Sequence, residues 1–345
     1  MKHLKTLAAL ALGAALLLTG CGTKAPAVED PILNLGVSAF GMKDYEATML
    51  FFKEQVDGQL NMMGMTPEAL LAEEGGSETY NAMISGGAMQ QLMLEATLEN
   101  LMAEEKLELD QEKVQAKVDE NRDLMGGDEE MDALLGEIHM DRDQFARLLI
   151  SPEIMLQQLQ NHYRENRPNE IRSYFNDNYL RAKHILLNEE EGGTERQAEA
   201  QALAEEARNG ADFDALIAEH GQDPGMIGNP DGYVFPEGQM VQEFYEGTLA
   251  LEENAISDPI RTSYGWHIIQ RLPLDDSSFT NNFQSILEGY MSTVIDGWIS
   301  SHEPEVDDRV KTLTVQDLLP AAEEETPAEE EAPAEEETPT EEPQE

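Results

Sequence analysis

The hydrophobic pattern of this chain changes period twice, and that double change limits its fold more than any other feature. From about Gly36 to residue 178 the apolar residues recur at helical spacing. Tyr80 to Leu109 is a run of good helix formers carrying Met89, Leu92, Met93, Ala96 and Leu101. Asp110 opens another segment, which Gly126-Gly127 breaks. Asp141 with Gln144 resembles a capping box, Ser151-Pro152-Glu153 puts Pro where a first helical turn tolerates it, and Pro168 opens a last helix through Ile171 and Phe175. At Leu180 the pattern becomes alternating, with Ala182, His184 and Leu186 on one face of a strand. A helix to about Arg208 follows, then a short one capped by Asp212, a strand at Gly232–Pro236, a helix at Val241–Leu251, and strands at Ile260–Thr262 and Trp266–Leu272. After Pro273 helical spacing returns in Phe283, Ile286, Leu287, Tyr290, Val294 and Trp298. That last helix has no core partner in its own neighbourhood, so it is expected to pack on the N-terminal helices.

The two ends read differently from the middle. Met1–Lys5 is a short basic stretch and Thr6–Leu18 an apolar run, too short for an ordinary membrane span and of the length of a signal-peptide core. It ends in Leu18-Thr19-Gly20-Cys21, which resembles the bacterial lipobox. That resemblance implies a signal peptide over 1–20, lipid on Cys21 and a mature chain starting there, with 21–35 as a linker. Cys21 is the one Cys among 345 residues, so no intramolecular disulfide is available and packed cores must supply the stability. At the other end, 321–345 is Glu, Pro, Ala and Thr with a single Gln and without Lys or Arg. Such a segment cannot bury enough surface to offset its ordering entropy and is expected to be a disordered acidic tail. The formal net charge of −48 excludes nucleic acid as a partner, because that surface has no excess of cations to displace counterions.

Thirteen of the 17 Met residues lie between Met42 and Met155. Met suits both an adaptable binding surface and irregular core gaps, and both uses remain open at this level. Homodimerisation through the helical segment is likewise left open.

Four stretches of the middle region resemble the parvulin class of peptidyl-prolyl isomerases, in the family's order: RAKHILL at 181–187, DFDALIAEHGQD at 212–223, GYVFPEGQMVQEF at 232–244 and ISDPIRTSYGWHII at 256–269. The flanking helical segments and the lipobox are similar to PrsA-type and SurA-type foldases. The resemblance implies an α+β chain: a small parvulin α/β domain at 179–274, with a four-stranded antiparallel sheet and about four helices, inserted in a mainly α-helical chaperone domain. That chaperone domain would comprise 36–178 and the returning segment 275–320. The implied catalytic group is His184, Asp223, His267, Thr262 and Tyr264. Met240, Phe244 and Phe235 are implied to cradle the substrate proline. The resemblance also implies unfolded exported polypeptides as partners and a location outside the cytoplasmic membrane, on the plasma membrane's outer face or in a periplasm.

Isomerising an X–Pro bond breaks no covalent bond. The barrier is lost amide resonance, ~18–20 kcal/mol, so the protein has to favour the twisted amide over both planar forms. No cofactor is needed. The His pair reads best as a hydrogen-bond network that orients dipoles, although two structural core histidines would leave the same sequence trace. Asp223 reads either as a site carboxylate or as a loop residue before Pro224. Thiol nucleophiles, metal-ligand spacings such as HExxH, and phosphate loops are not apparent in the sequence. The acidic run Glu189-Glu190-Glu191 after the first strand would repel a phosphopeptide. The alternative reading is a holdase whose parvulin domain is catalytically weak.

Overall fold

The computed structural model describes residue 28 and residues 30–188 and 194–319. Cys21, the acidic run 189–191 and the tail 321–345 lie outside them. The chain first forms β1 (Pro31–Leu35) and β2 (Ser38–Gly41), an antiparallel hairpin. Ile32 and Leu33 are wholly buried. The assignment of 21–35 to a linker is therefore corrected, since its last five residues are a core strand.

Eight helices follow: α1 (Met42–Met62), α2 (Pro67–Leu71), α3 (Gly76–Glu104), α4 (Gln111–Met125), α5 (Asp128–Glu137), α6 (Arg142–Phe145), α7 (Ser151–Asn166) and α8 (Pro168–Asn178). Asp110 caps α4 by accepting from the Lys113 N–H at 3.1 Å, and Asp141 and Gln144 close a reciprocal box at the start of α6. α7 begins at Ser151 with Pro152 in its first turn, as expected, and a π turn at Ala146–Ile150 joins it directly to α6. Proline has no N–H to give the carbonyl four residues back. The Leu148 carbonyl accepts instead from Gln91 Nε2 of α3 at 2.8 Å. Of the Met-rich set, Met49, Met102, Met131, Met140 and Met155 are buried in the core, whereas Met62, Met63 and Met83 are exposed.

The helical core holds one costly group. Glu95 of α3 is wholly buried, and neither carboxylate oxygen accepts a hydrogen bond. Arg147 of the π turn comes within 3.4 Å of it, but also lies 3.6 Å from Asp44 and donates to the Ala39 carbonyl. Burial, reinforced by Glu99, pushes the Glu95 carboxyl well above its ordinary range.

The alternating region builds β3 (Tyr179–Asn188), α9 (Thr194–Arg208), α10 (Phe213–His220), α11 (Gly225–Gly228), β4 (Tyr233–Pro236), α12 (Gln242–Leu249), β5 (Ile260–Thr262) and β6 (Gly265–Leu272). The four strands form an antiparallel sheet in the order β4-β3-β6-β5. Ile185, Leu187 and Ile268 face α9 and α10 on one side, while Leu180, Ala182 and Ile269 face Phe235 and Phe244 on the other. Period-two alternation thus splits one strand between two small cores.

The described residues finish with α13 (Asp276–Asn281), α14 (Phe283–Ser301), β7 (Glu305–Val306) and α15 (Val315–Leu318). Ile286, Leu287, Tyr290, Met291 and Trp298 of α14 join the same core as α3, α7 and α8. Trp298 Nε1 donates to Glu104 at 2.8 Å, and Tyr290 Oη donates to Glu170 at 2.9 Å. β7 pairs with β1 through Leu33 and Val306, giving a three-stranded sheet in the order β2-β1-β7. The 275–320 segment, expected to be helical, therefore also contributes a strand.

Two outcomes are expected. Leu287→Ala should lower the stability of the helical unit by about 2–5 kcal/mol in urea unfolding, as for a buried core Leu; a change under about 0.5 kcal/mol would contradict the shared core. Glu95→Gln should gain on the wild type as pH rises from 5 to 8. Folded Glu95 holds a proton that the unfolded chain releases near pH ~4.3, so raising pH favours unfolding of the wild type alone. Identical pH dependence of the two proteins would contradict the buried, protonated carboxyl.

Candidate active site

The β3–β6 pairing sets the site. Residues 181–188 pair with 265–272, placing His184 opposite Ile269 and His267 opposite Leu186. Opposed residues of an antiparallel pair point to the same side, so the two imidazoles are diagonal neighbours on one face. Their ring centroids are 5.0 Å apart and their Nδ1 atoms 3.4 Å apart. β5 adds Thr262 across a tight turn in which Thr262 opposes Gly265. Gly265 has φ +140°, and a Cβ there would lie 2.2 Å from the Leu187 carbonyl oxygen, so only glycine fits.

Asp223 comes from the loop after α10. β4 pairs with β3 only over 179–182, which leaves the far half of that edge open. The Gln222 N–H fills it by donating to the Leu186 carbonyl at 2.9 Å, and the Gln222 side chain accepts from the Asn188 N–H at 2.7 Å. Asp223 is thereby set against His184. Its Oδ2 accepts from His184 Nε2 at 2.8 Å, and its Oδ1 accepts from the Gly225 N–H at 2.9 Å. Asp223 thus both closes a local turn and faces the histidine.

These contacts run in one direction. Burial works to raise the Asp223 carboxyl, but hydrogen bonds from Tyr233, Gly225 and His184 overcome it and hold the group below its ordinary value. The carboxylate therefore only accepts, and His184 Nε2 carries the proton. Burial lowers the His184 imidazole despite the pull of Asp223, and burial and His184 together lower His267 to about 3. Both rings are then neutral at pH 7. His184 Nδ1 accepts from His267 Nδ1–H, and His267 Nε2 accepts from the Thr262 hydroxyl at 2.8 Å. Thr262 Oγ1 in turn accepts from the Tyr264 N–H at 3.1 Å. Each ring nitrogen has one partner in a chain ending on a negative charge.

Phe244 of α12 stands edge-on to both imidazoles, at 5.1 Å from His184 and 5.5 Å from His267. Met240 is partly buried against the same apolar cluster. Two expected site residues are corrected. Phe235 is 0% exposed, so it cannot touch a ligand and instead backs Phe244 at 5.7 Å. The Tyr264 side chain is 63% exposed at the turn, and only its main-chain N–H enters the network. One member was missed: Tyr233 Oη donates to Asp223 Oδ2 at 2.8 Å. The available signal was its place in β4 opposite Ala182, two residues from His184 on the shared face.

Residues 166–272 match the family model of the PPIC-type PPIASE domain. Chaperone SurA of Methylococcus capsulatus is 41% identical over 103 residues, covering 29% of this chain and 22% of that protein. Foldase protein PrsA of Geobacillus kaustophilus is 39% identical over 105 residues, covering 29% of this chain and 34% of that one. The chain thus spans between about a fifth and a third of the length of these curated relatives. Among solved structures, the peptidylprolyl isomerase PrsA of Bacillus anthracis aligns with TM-score 0.33 and 16% identity over 62% of this chain and 96% of its own. NmPin, the parvuline of Nitrosopumilus maritimus, aligns with TM-score 0.24 and 30% identity over 28% of this chain and 97% of its own.

A neutral, buried imidazole pair has a definite pH consequence. The unfolded chain takes up protons near pH ~6.5 whereas the folded rings resist them, so their contribution to stability is complete above that pH and declines as pH falls toward 3. Thermal unfolding from pH 7 to pH 4 should follow this decline, and His267→Asn should flatten part of it. A variant with the wild-type slope would contradict the assignment of a depressed His267.

Proposed function

We propose that this chain, which carries a PPIC-type PPIASE domain, is a peptidyl-prolyl cis/trans isomerase that assists the folding of exported polypeptides outside the cytoplasmic membrane. The observation that carries the reading is the neutral His184–His267 pair, closed by Asp223 and Thr262 and flanked by Met240 and Phe244. Planar amide resonance places negative charge on the carbonyl oxygen and draws the nitrogen lone pair away. Twisting reverses both effects. A fixed carboxylate beside the carbonyl disfavours the planar form, and neutral imidazoles add no positive charge to stabilise it. Asp223, with its side chain 20% exposed, is the carboxylate able to act this way at the mouth of the network. Met240, which is partly exposed, supplies an apolar ledge for the proline ring, and the buried Phe244 backs it and keeps water from the rings. Thr262 fixes the far end. Bond-making and cofactors play no part in this scheme.

Lipid on Cys21 would hold the protein at the membrane surface, with the acidic tail 321–345 extending from it. The acidic run at 189–191 supports unphosphorylated X–Pro clients. A second reading, client holding with weak catalysis, is favoured by Met62, Met63 and Met83, which stand exposed on α1, the loop after it and α3.

Exchange NMR on unphosphorylated X–Pro peptides with the full chain tests the reading. Acceleration is expected, and His184→Ala and Met240→Ala should each reduce it about tenfold, equivalent to ~1.4 kcal/mol of lost transition-state stabilisation. Suppressed client aggregation with unchanged cis/trans exchange would replace the isomerase with the holdase. For the anchor, Cys21→Ser should abolish incorporation of labelled fatty acid; retained label would refute lipid attachment at that residue.

A further inference from the structure

The hydroxyl of Tyr233 is built into the site more tightly than an edge-strand tyrosine needs to be. It donates at 2.8 Å to Asp223 Oδ2, the same oxygen that accepts from His184 Nε2. It also sits over the Cα of Gly225, where a Cβ would fall 1.9 Å from it and 3.1 Å from Asp223 Oδ1. The Gly225 N–H meanwhile holds Oδ1. Three donors from β4, β3 and the loop thus pin one carboxylate, and the hydroxyl has room only because residue 225 is glycine. The Tyr233 ring lies 5.9 Å from the His184 ring and packs across its edge.

We propose that Tyr233 is a positioning residue, whose hydroxyl holds Asp223 as an acceptor and so fixes the direction of the whole hydrogen-bonded chain through His184, His267 and Thr262. The inference rests on the isomerase reading for its catalytic consequence but not for its structural one. The chain has two self-consistent arrangements. With Asp223 ionised, protons sit on His184 Nε2 and His267 Nδ1, and Thr262 donates. With Asp223 protonated, the carboxyl donates to His184 Nε2, the proton of His184 moves to Nδ1, His267 carries its proton on Nε2, and Thr262 accepts. Both arrangements satisfy every ring nitrogen, so the imidazoles themselves do not choose between them. A phenol beside a carboxylate chooses, because Tyr233 can donate to the ionised oxygen and its own ionisation is opposed first by burial and then by Asp223. The titratable groups facing Asp223 are His184 from β3, His267 from β6 and Tyr233 from β4, with the Gly225 N–H from its own loop.

The test uses the full chain, with 15N-labelled histidine to read each ring's tautomer and with X–Pro exchange rates across pH. Wild type should show the Nε2–H form at His184 and the Nδ1–H form at His267. Y233F should reach the reversed pattern at a higher pH than wild type. Its kcat/KM should fall about fivefold or more at pH 5 and less than about twofold at pH 8, with KM little changed. Placing 3-fluorotyrosine at position 233 keeps the ring and strengthens the donor, so it should move the acid limb in the opposite direction; this variant decides the matter if Y233F does not fold. Tautomers and acid limb unmoved by both changes would overturn the proposal. Tautomers that shift in a protein without isomerase activity would support the positioning role while removing the isomerase reading.

Discussion

The antiparallel pairing of β3 with β6 is the constraint on which the rest of the structure depends. It joins residues 181–188 to 265–272, using every residue of β6. By pleat alone it divides Ile185, Leu187 and Ile268 from Leu180, Ala182 and Ile269, giving the sheet a core on each face. By register it makes His184 and His267 diagonal neighbours. By direction it returns the chain at Leu272 to the level of Arg181, so both connections leave the sheet at one end. Arg181 marks that end by pairing with Asp275 and donating to the Asp231 carbonyl at 2.9 Å. A one-residue slip would send His267 to the opposite face and break the network and both cores together.

Within that frame the site is an exercise in charge placement. Two imidazoles buried side by side would each cost desolvation if protonated, and each would repel the other. The fold avoids both costs by keeping the rings neutral and giving each nitrogen one partner. The single formal charge is on Asp223 at the wetter end. Phe244 contributes by occupying the edge space that water would otherwise take between the rings and α12.

Much of this was legible in the sequence because it is local. Strand alternation at 181–187, the helix caps at Asp110, Asp141 and Asp212, and the apolar spacing of 283–298 each depend on near neighbours, and each describes an element that forms. What escaped is non-local. β1 looked like linker because its partner Val306 lies far along the chain from Leu33, and a five-residue strand carries no signal of such a partner. Phe235 and Tyr264 had the right positions, but sequence does not say that Phe244 covers the first or that a two-residue turn points the second to solvent. Tyr233 escaped because its role depends on the space left by Gly225, the first residue of α11 eight positions earlier. The π turn escaped because Pro152 marks the start of α7 but says nothing of the turn before it, whose Leu148 carbonyl is taken by Gln91 on another helix.

The β1–β7 pairing bears on the order in which the molecule assembles. The sheet domain is one uninterrupted stretch of chain, and its longest pairing closes within about ninety residues. The helical unit instead requires Leu33 to meet Val306, and α3 to meet α14, across nearly the whole polypeptide. A chain emerging N-terminus first therefore completes the inserted domain while α1 to α8 still expose the surface that α14 will cover. The C-terminal segment that carries α14 and β7 closes the unit that began first.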